Sequence, residues 1–189
     1  MGPEFKVTFT LDEEDADYFR SLYRKVKKEA ATQDPQKIVK DARDIVQRVR
    51  ASKKTPHFVI DAIGALADLV DLIQDDAYAA PQRVRSEVLA GLAYFSNPQD
   101  LIPDSVPGLG FLDDAIMVKF IEEEFKNELW GYRRFRKMRD SSEQRPWSSP
   151  ASDRLRQRLE ADRKRVRGEI EAREAKDASQ RKSGRSFGW

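Results

Sequence analysis

From Thr55-Pro56 to Asp75 the chain places Phe58, Val59, Ala62, Ile63, Leu66, Leu69, Val70 and Ile73 at helical spacing. At about 100° per residue these side chains cover well over half the circumference of one helix, and a helix apolar that far round must be surrounded by others. The arc left over holds Asp61, Asp68, Asp71 and Asp75, all within roughly 80° of one another by the same periodicity. The chain is therefore expected to wrap a bundle around this helix and to leave one acidic edge on it.

The surrounding helices are legible from their starts. Thr10 followed by Glu13 reads as a capping box opening a helix over about Leu11–Ala31, with Ala16, Phe19, Leu22, Tyr23, Val26 and Ala30 inward. Asp34-Pro35 opens a second, whose stripe is Ile38, Ala42, Ile45, Val46 and Val49, and proline costs nothing at a first helical position. Pro81 opens a fourth, with Val84, Val88, Leu89, Leu92 and Phe95. After a Pro/Gly-rich stretch from Asn97 to Gly110, a long helix is expected over Asp113–Met138. Ser149-Pro150 caps a last, charged helix. The fold class read from this pattern is all-α: a compact bundle of about five helices with a Pro/Gly/Asp-rich loop and a charged C-terminal helical tail. Residues 1–5 resemble a cloning remnant. Residues 6–140 form the helical domain, 141–150 a linker, 151–178 the charged helix and 179–189 a disordered tail.

Composition then narrows the chemistry. None of the 189 residues is cysteine and one is histidine, which excludes disulfides, thiolate metal sites, thiol catalysis and His-rich centres. His57, beside Pro56 at a helix start, reads as a partly exposed polar residue, and no serine has a histidine and a third orienting group to form a triad. No long uncharged apolar run occurs, so the expectation is a soluble, cytoplasmic chain that is not transmembrane. The net charge of +2 hides a split: residues 1–130 carry 17 Lys/Arg against 24 Asp/Glu, and residues 131–189 carry 18 against 9.

The most specific stretch is Tyr94-Phe95-Ser96-Asn97-Pro98-Gln99-Asp100-Leu101-Ile102-Pro103-Asp104, continuing through Pro107 and Gly110 to Asp113-Asp114. It resembles the YkvA-like family, also called domain of unknown function 1232, whose core reads approximately Y-F-x-x-P-x-D-L-I-P-D-x-x-P-x-x-G-x-x-D-D. Every fixed position of that pattern is met. The resemblance covers about residues 85–125 and implies a bacterial-type domain with no established activity. Some members of that family are membrane-associated, and in animals a similar domain is joined to a RING-type ubiquitin ligase; this chain has neither long apolar helices nor the cysteines of a RING.

Read physically, Pro98, Pro103 and Pro107 stiffen the loop, Gly110 lets it reverse, and Leu101 and Ile102 pin it to the bundle. Asp113 or its predecessor is the expected cap of the following helix, and Asp100 and Asp104 are expected to hold turn N–H groups. As hard oxygen ligands, Asp100, Asp104, Asp113 and Asp114 also form a candidate Mg²⁺ or Ca²⁺ site, although the spacing is not that of an EF-hand. On the long helix Glu124 and Glu128 are one turn apart within an apolar face, and Arg48, Arg50 or Arg83 are the expected partners. Lys119, Lys126, Arg133 and Lys137 share an arc of that helix, with Trp130, Tyr132 and Trp147 interleaved nearby. On the last helix Leu155, Leu159, Val166 and Ile170 form a thin stripe suited to a partner helix, in cis or in a dimer.

Two function classes follow. The favoured one is a non-enzymatic helical interaction or adaptor module whose partner is a protein, a second copy or another chain, met through the charged tail and the acidic edge. The alternative is a divalent-metal-dependent enzyme or a phosphate- or nucleic-acid-binding protein using the Asp loop and basic tail, with an anionic membrane surface as a further partner. No catalytic residue is assigned.

Overall fold

The computed structural model describes residues 10–52, 55–96, 102, 106, 109–143 and 152–182, and among them all regular structure is helical. Seven α-helices are present in that part: α1 (Glu13–Glu29), α2 (Pro35–Ala51), α3 (His57–Gln74), α4 (Gln82–Leu92), α5 (Leu112–Glu124), α6 (Lys126–Glu143) and α7 (Ser152–Lys182). The all-α class holds and the count of about five is corrected. The long helix expected over Asp113–Met138 is two helices, because Phe125 leaves helical geometry (φ −103°, ψ 18°) while its ring is buried. The last helix is longer than expected, and residues 179–182 belong to it. Helix α6 likewise takes in residues 141–143 of the expected linker; Ser149-Pro150 and residues 183–189 lie outside the described residues.

The caps follow local chemistry. Helix α1 starts just after the expected box, because Asp12 and Asp15 take the roles read for Thr10 and Glu13. The Asp15 N–H donates to the Asp12 carboxylate at 3.0 Å. The Asp12 N–H donates to the Asp15 carboxylate at 3.2 Å. Asp34 caps α2 through the Gln36 N–H at 3.0 Å, with Pro35 at the first position as expected. Pro56 and Pro81 precede α3 and α4 without any side-chain cap bond.

Helix α3 is the centre, packed by α2, α4, α5 and α6. Val59, Ala62, Ile63, Leu66, Leu69, Val70, Leu72 and Ile73 are buried, while Phe58, at the open N-terminal end, stays 45% exposed. The stripes expected for α1, α2 and α4 lie in or against the same core, except Ala16, which is half-buried outside it. Helix α7 is held on α6, where Val166 and Ile170 are fully buried and Leu159 is half-buried against the core.

The glycines test this packing. Gly64 and Gly168 lie inside α3 and α7 with nothing near the position a Cβ would take, whereas a Cβ on Gly131 would collide with Ile170. A glycine inside a helix costs about 0.5–1 kcal/mol relative to alanine. Gly64→Ala and Gly168→Ala are therefore each expected to stabilise the chain by about that amount, read by urea unfolding. A loss of stability in either would show that these faces are covered.

Candidate interaction surface

The acidic edge of α3 is met from within the chain. Asp68 accepts from Arg133 Nε (2.6 Å) and Arg136 (2.8 Å), and Asp75 from Arg139 (2.7 Å) and the Tyr132 hydroxyl (3.3 Å). Asp75 also accepts from the backbone N–H groups of Ala77 (2.9 Å) and Tyr78 (3.1 Å), fixing the turn after α3. Burial would raise the Asp75 pKa, but the Arg139 hydrogen bond and charge and the two backbone donors outweigh it and hold it below the usual range. Burial, then the Asp75 and Asp71 carboxylates, push the Tyr132 phenol up to about 12. The two outer aspartates stay exposed, Asp71 beside Arg43 (3.8 Å) and Asp61 beside His57 (3.0 Å).

The break at Phe125 separates the basic residues expected on one arc. Lys119 is on α5, paired with Glu122 at 2.7 Å, while Lys126, Arg133 and Lys137 are on α6. Lys126 pairs with Glu123 (2.6 Å) and faces Asp177 of α7 (3.8 Å). Lys137 is exposed. Trp130 is covered by two guanidinium groups, that of Arg173 at 4.4 Å from its ring centre and that of Arg134 at 5.6 Å. Arg136 stacks on Tyr132 at 5.6 Å. Cations held over ring faces in this way are drawn by the quadrupole of the ring. Trp147 lies outside the described residues.

Glu124 and Glu128 also fall on either side of the break, and their expected arginine partners are corrected. Glu124 binds Lys27 of α1 at 2.6 Å, and buried Glu128 accepts from Arg167 of α7 and from the Tyr78 hydroxyl at 3.0 Å. Arg83 pairs instead with Glu87, and Arg48 stacks on Phe111. Burial and the Glu128 charge both raise the Tyr78 pKa. The partners lie 97 and 39 residues away in the chain, so no local spacing marks them.

In the Asp loop, Pro98, Asp100, Leu101, Pro103, Asp104 and Pro107 lie outside the described residues. The described end is tied down: the Gly110 N–H donates to the Val106 carbonyl (2.9 Å), and the Ile102 N–H to the Asp113 carboxylate (3.2 Å). Asp113 and Asp114 are buried in the first turn of α5, and the cap itself is Phe111. Carboxylates at that end complement the helix dipole. Among the described residues no three Asp, Glu or His side chains are grouped to hold a metal ion.

Residues 84–120, from α4 through the loop into α5, match the family described as "Protein of unknown function (DUF1232)". The "Uncharacterized membrane protein YkvA" of Bacillus subtilis (strain 168) is 43% identical over 47 residues, which are 25% of this chain and 44% of that relative. The chain thus spans less than half the length of the relative it matches. No solved structure matches it. Among the described residues no helix is long and apolar enough to cross a membrane.

Proposed function

Because this chain carries a YkvA-like segment of the DUF1232 family, we propose that it is a non-enzymatic helical interaction module, meeting a protein partner through the outward face of α7. The observation that supports this is the mounting of α7. This helix of 31 residues is seated on α6 along one narrow seam. The rise of an α-helix makes it about 46 Å long. Arg156, Arg158, Glu160, Glu174, Lys176 and Arg181 stay exposed along it. A rigid rod with interleaved charges selects partners by electrostatic complementarity. The acidic edge contributes less than its sequence implies, since Asp68 and Asp75 already hold arginines of α6. The same pairing reduces the basic field that a nucleic acid would meet. The partner is a second copy or another protein, and the site of action is the cytoplasm rather than the membrane named for the relative.

A photo-crosslinking residue at Arg158 or Lys176 of the full chain, in cells that make it, is expected to capture one defined protein band. Fractionation is expected to leave the chain with soluble proteins. Capture of nucleic acid instead, or of nothing by a folded chain, contradicts the reading.

A further inference from the structure

A groove of about 380 Å³ runs between α7 and the turn that joins α3 to α4. Its volume falls within the roughly 300–1,000 Å³ range of ligand clefts. It is lined by Ala79 and Pro81 from the turn and by Arg163, Lys164, Arg167, Gly168 and Glu171 from α7. Gly168 lies within α7 where a Cβ would meet nothing, and Ala79 holds a left-handed backbone (φ 47°) as its N–H closes the turn after α3 on the Asp75 carbonyl at 2.9 Å. That conformation disfavours every residue but glycine.

Arg163 is half-buried, and its charge acts on the Glu160 carboxylate one turn away. Lys164 is joined to Glu160 at 2.8 Å. Exposed pairs of this kind contribute little and rearrange easily. Arg167 is held by Glu128 and lies over the Tyr78 ring at 5.5 Å, so its guanidinium is fixed in place and brings a positive charge to the groove. A helix sets residues 163 and 167, and likewise 164 and 168, one turn apart. The open column at Gly168 therefore lies between the Lys164 and Arg167 side chains.

We propose that this groove binds a phosphate monoester. The phosphoryl group sits against Arg163, Lys164 and Arg167, where charge-assisted and bidentate hydrogen bonds are strongest. The organic part lies over Ala79, Pro81 and Gly168. Glu171 repels the phosphate from its own end and accepts from a hydroxyl of the ester, so it sets the orientation. The groove does not depend on the partner reading, which is tested at other positions of α7.

Calorimetric titration of the full chain at constant ionic strength with glycerol 3-phosphate tests the site, with inorganic phosphate and phosphatidic-acid-containing phosphatidylcholine vesicles as parallel arms. Saturable binding is expected. A soluble ester binding more tightly than inorganic phosphate identifies a free metabolite as the source, and binding of the vesicles alone identifies a lipid headgroup. Arg163→Glu and Gly168→Leu, both at positions that leave the core untouched, are each expected to weaken binding about tenfold or more without lowering the melting temperature. Absence of saturable binding in all three arms overturns the proposal, as does binding that survives both substitutions.

Discussion

Replacing Gly131 with alanine is expected to lower stability by about 1–3 kcal/mol, the opposite of what helix propensity forecasts. A Cβ there would overlap Ile170 Cδ1 and would lie 2.7 Å from its Cγ1 and 3.2 Å from Val166 Cγ1. The Cδ1 atom alone could swing aside. The Cγ1 atom and Val166 cannot follow cheaply, because β-branched side chains in a helix have one strongly preferred χ1 rotamer and both residues are fully buried. The helices must then separate. For a chain of this size the loss corresponds to a fall in melting temperature of about 2–4 °C per kcal/mol. Ile170→Ala removes the colliding atoms, so a double-mutant cycle should show Gly131→Ala costing much less in that background. Gly131→Ala stabilising the chain, as Gly64→Ala is expected to, would mean that α7 does not rest there.

The second large effect is at Asp75. Asp75→Ala strips partners at once from Arg139, the Tyr132 hydroxyl and the turn N–H groups of Ala77 and Tyr78. Breaking a buried ion pair costs about 3–5 kcal/mol. The Arg139 side chain is 22% exposed and recovers some hydration. A loss of about 2–4 kcal/mol is therefore expected here. The pH dependence has a definite sign. A carboxylate with a depressed folded pKa stabilises fully above its unfolded value of about 3.9, and that contribution is lost as pH falls through the lower folded value. Urea unfolding at pH 7 should show the full deficit of the variant, and the difference between wild type and variant should shrink as pH falls below the unfolded value and through the lower folded one, where the carboxylate takes up its proton. An undiminished difference in acid would assign the loss to packing and not to charge.

Much of the fold was legible because its signals are local. Asp34-Pro35 caps α2 as its sequence says, and the stripe from Ile38 to Val49 is buried throughout. The breadth of the apolar arc on α3 correctly made it the central helix. The break at Phe125 was not legible, since the segment from Glu122 to Leu129 has no proline or glycine and its apolar spacing runs on through the turn. Only tertiary packing separates α5 from α6 there, and with them Lys119 from Lys126 and Glu124 from Glu128. The acidic edge was visible as a face. Which cations meet it depends on helix placement, and Arg133, Arg136 and Arg139 reach it only because α6 crosses α3. The groove at Gly168 was invisible, because it joins the turn around Ala79 to a helix far along the chain.

Both the pairing of the acidic edge and the groove require that the basic C-terminal segment lies on its own bundle. Asn127 of α6 donates to Asp177 of α7 at 3.1 Å, and the chain has no cysteine to interfere with a pair placed at those positions. Asn127→Cys and Asp177→Cys are combined in one chain, prepared with light and heavy isotopes, mixed, linked with a short bis-maleimide and analysed by mass spectrometry. Light–light and heavy–heavy links alone are expected. Light–heavy links at the mixing ratio would place α7 on another copy and contradict the intramolecular seat.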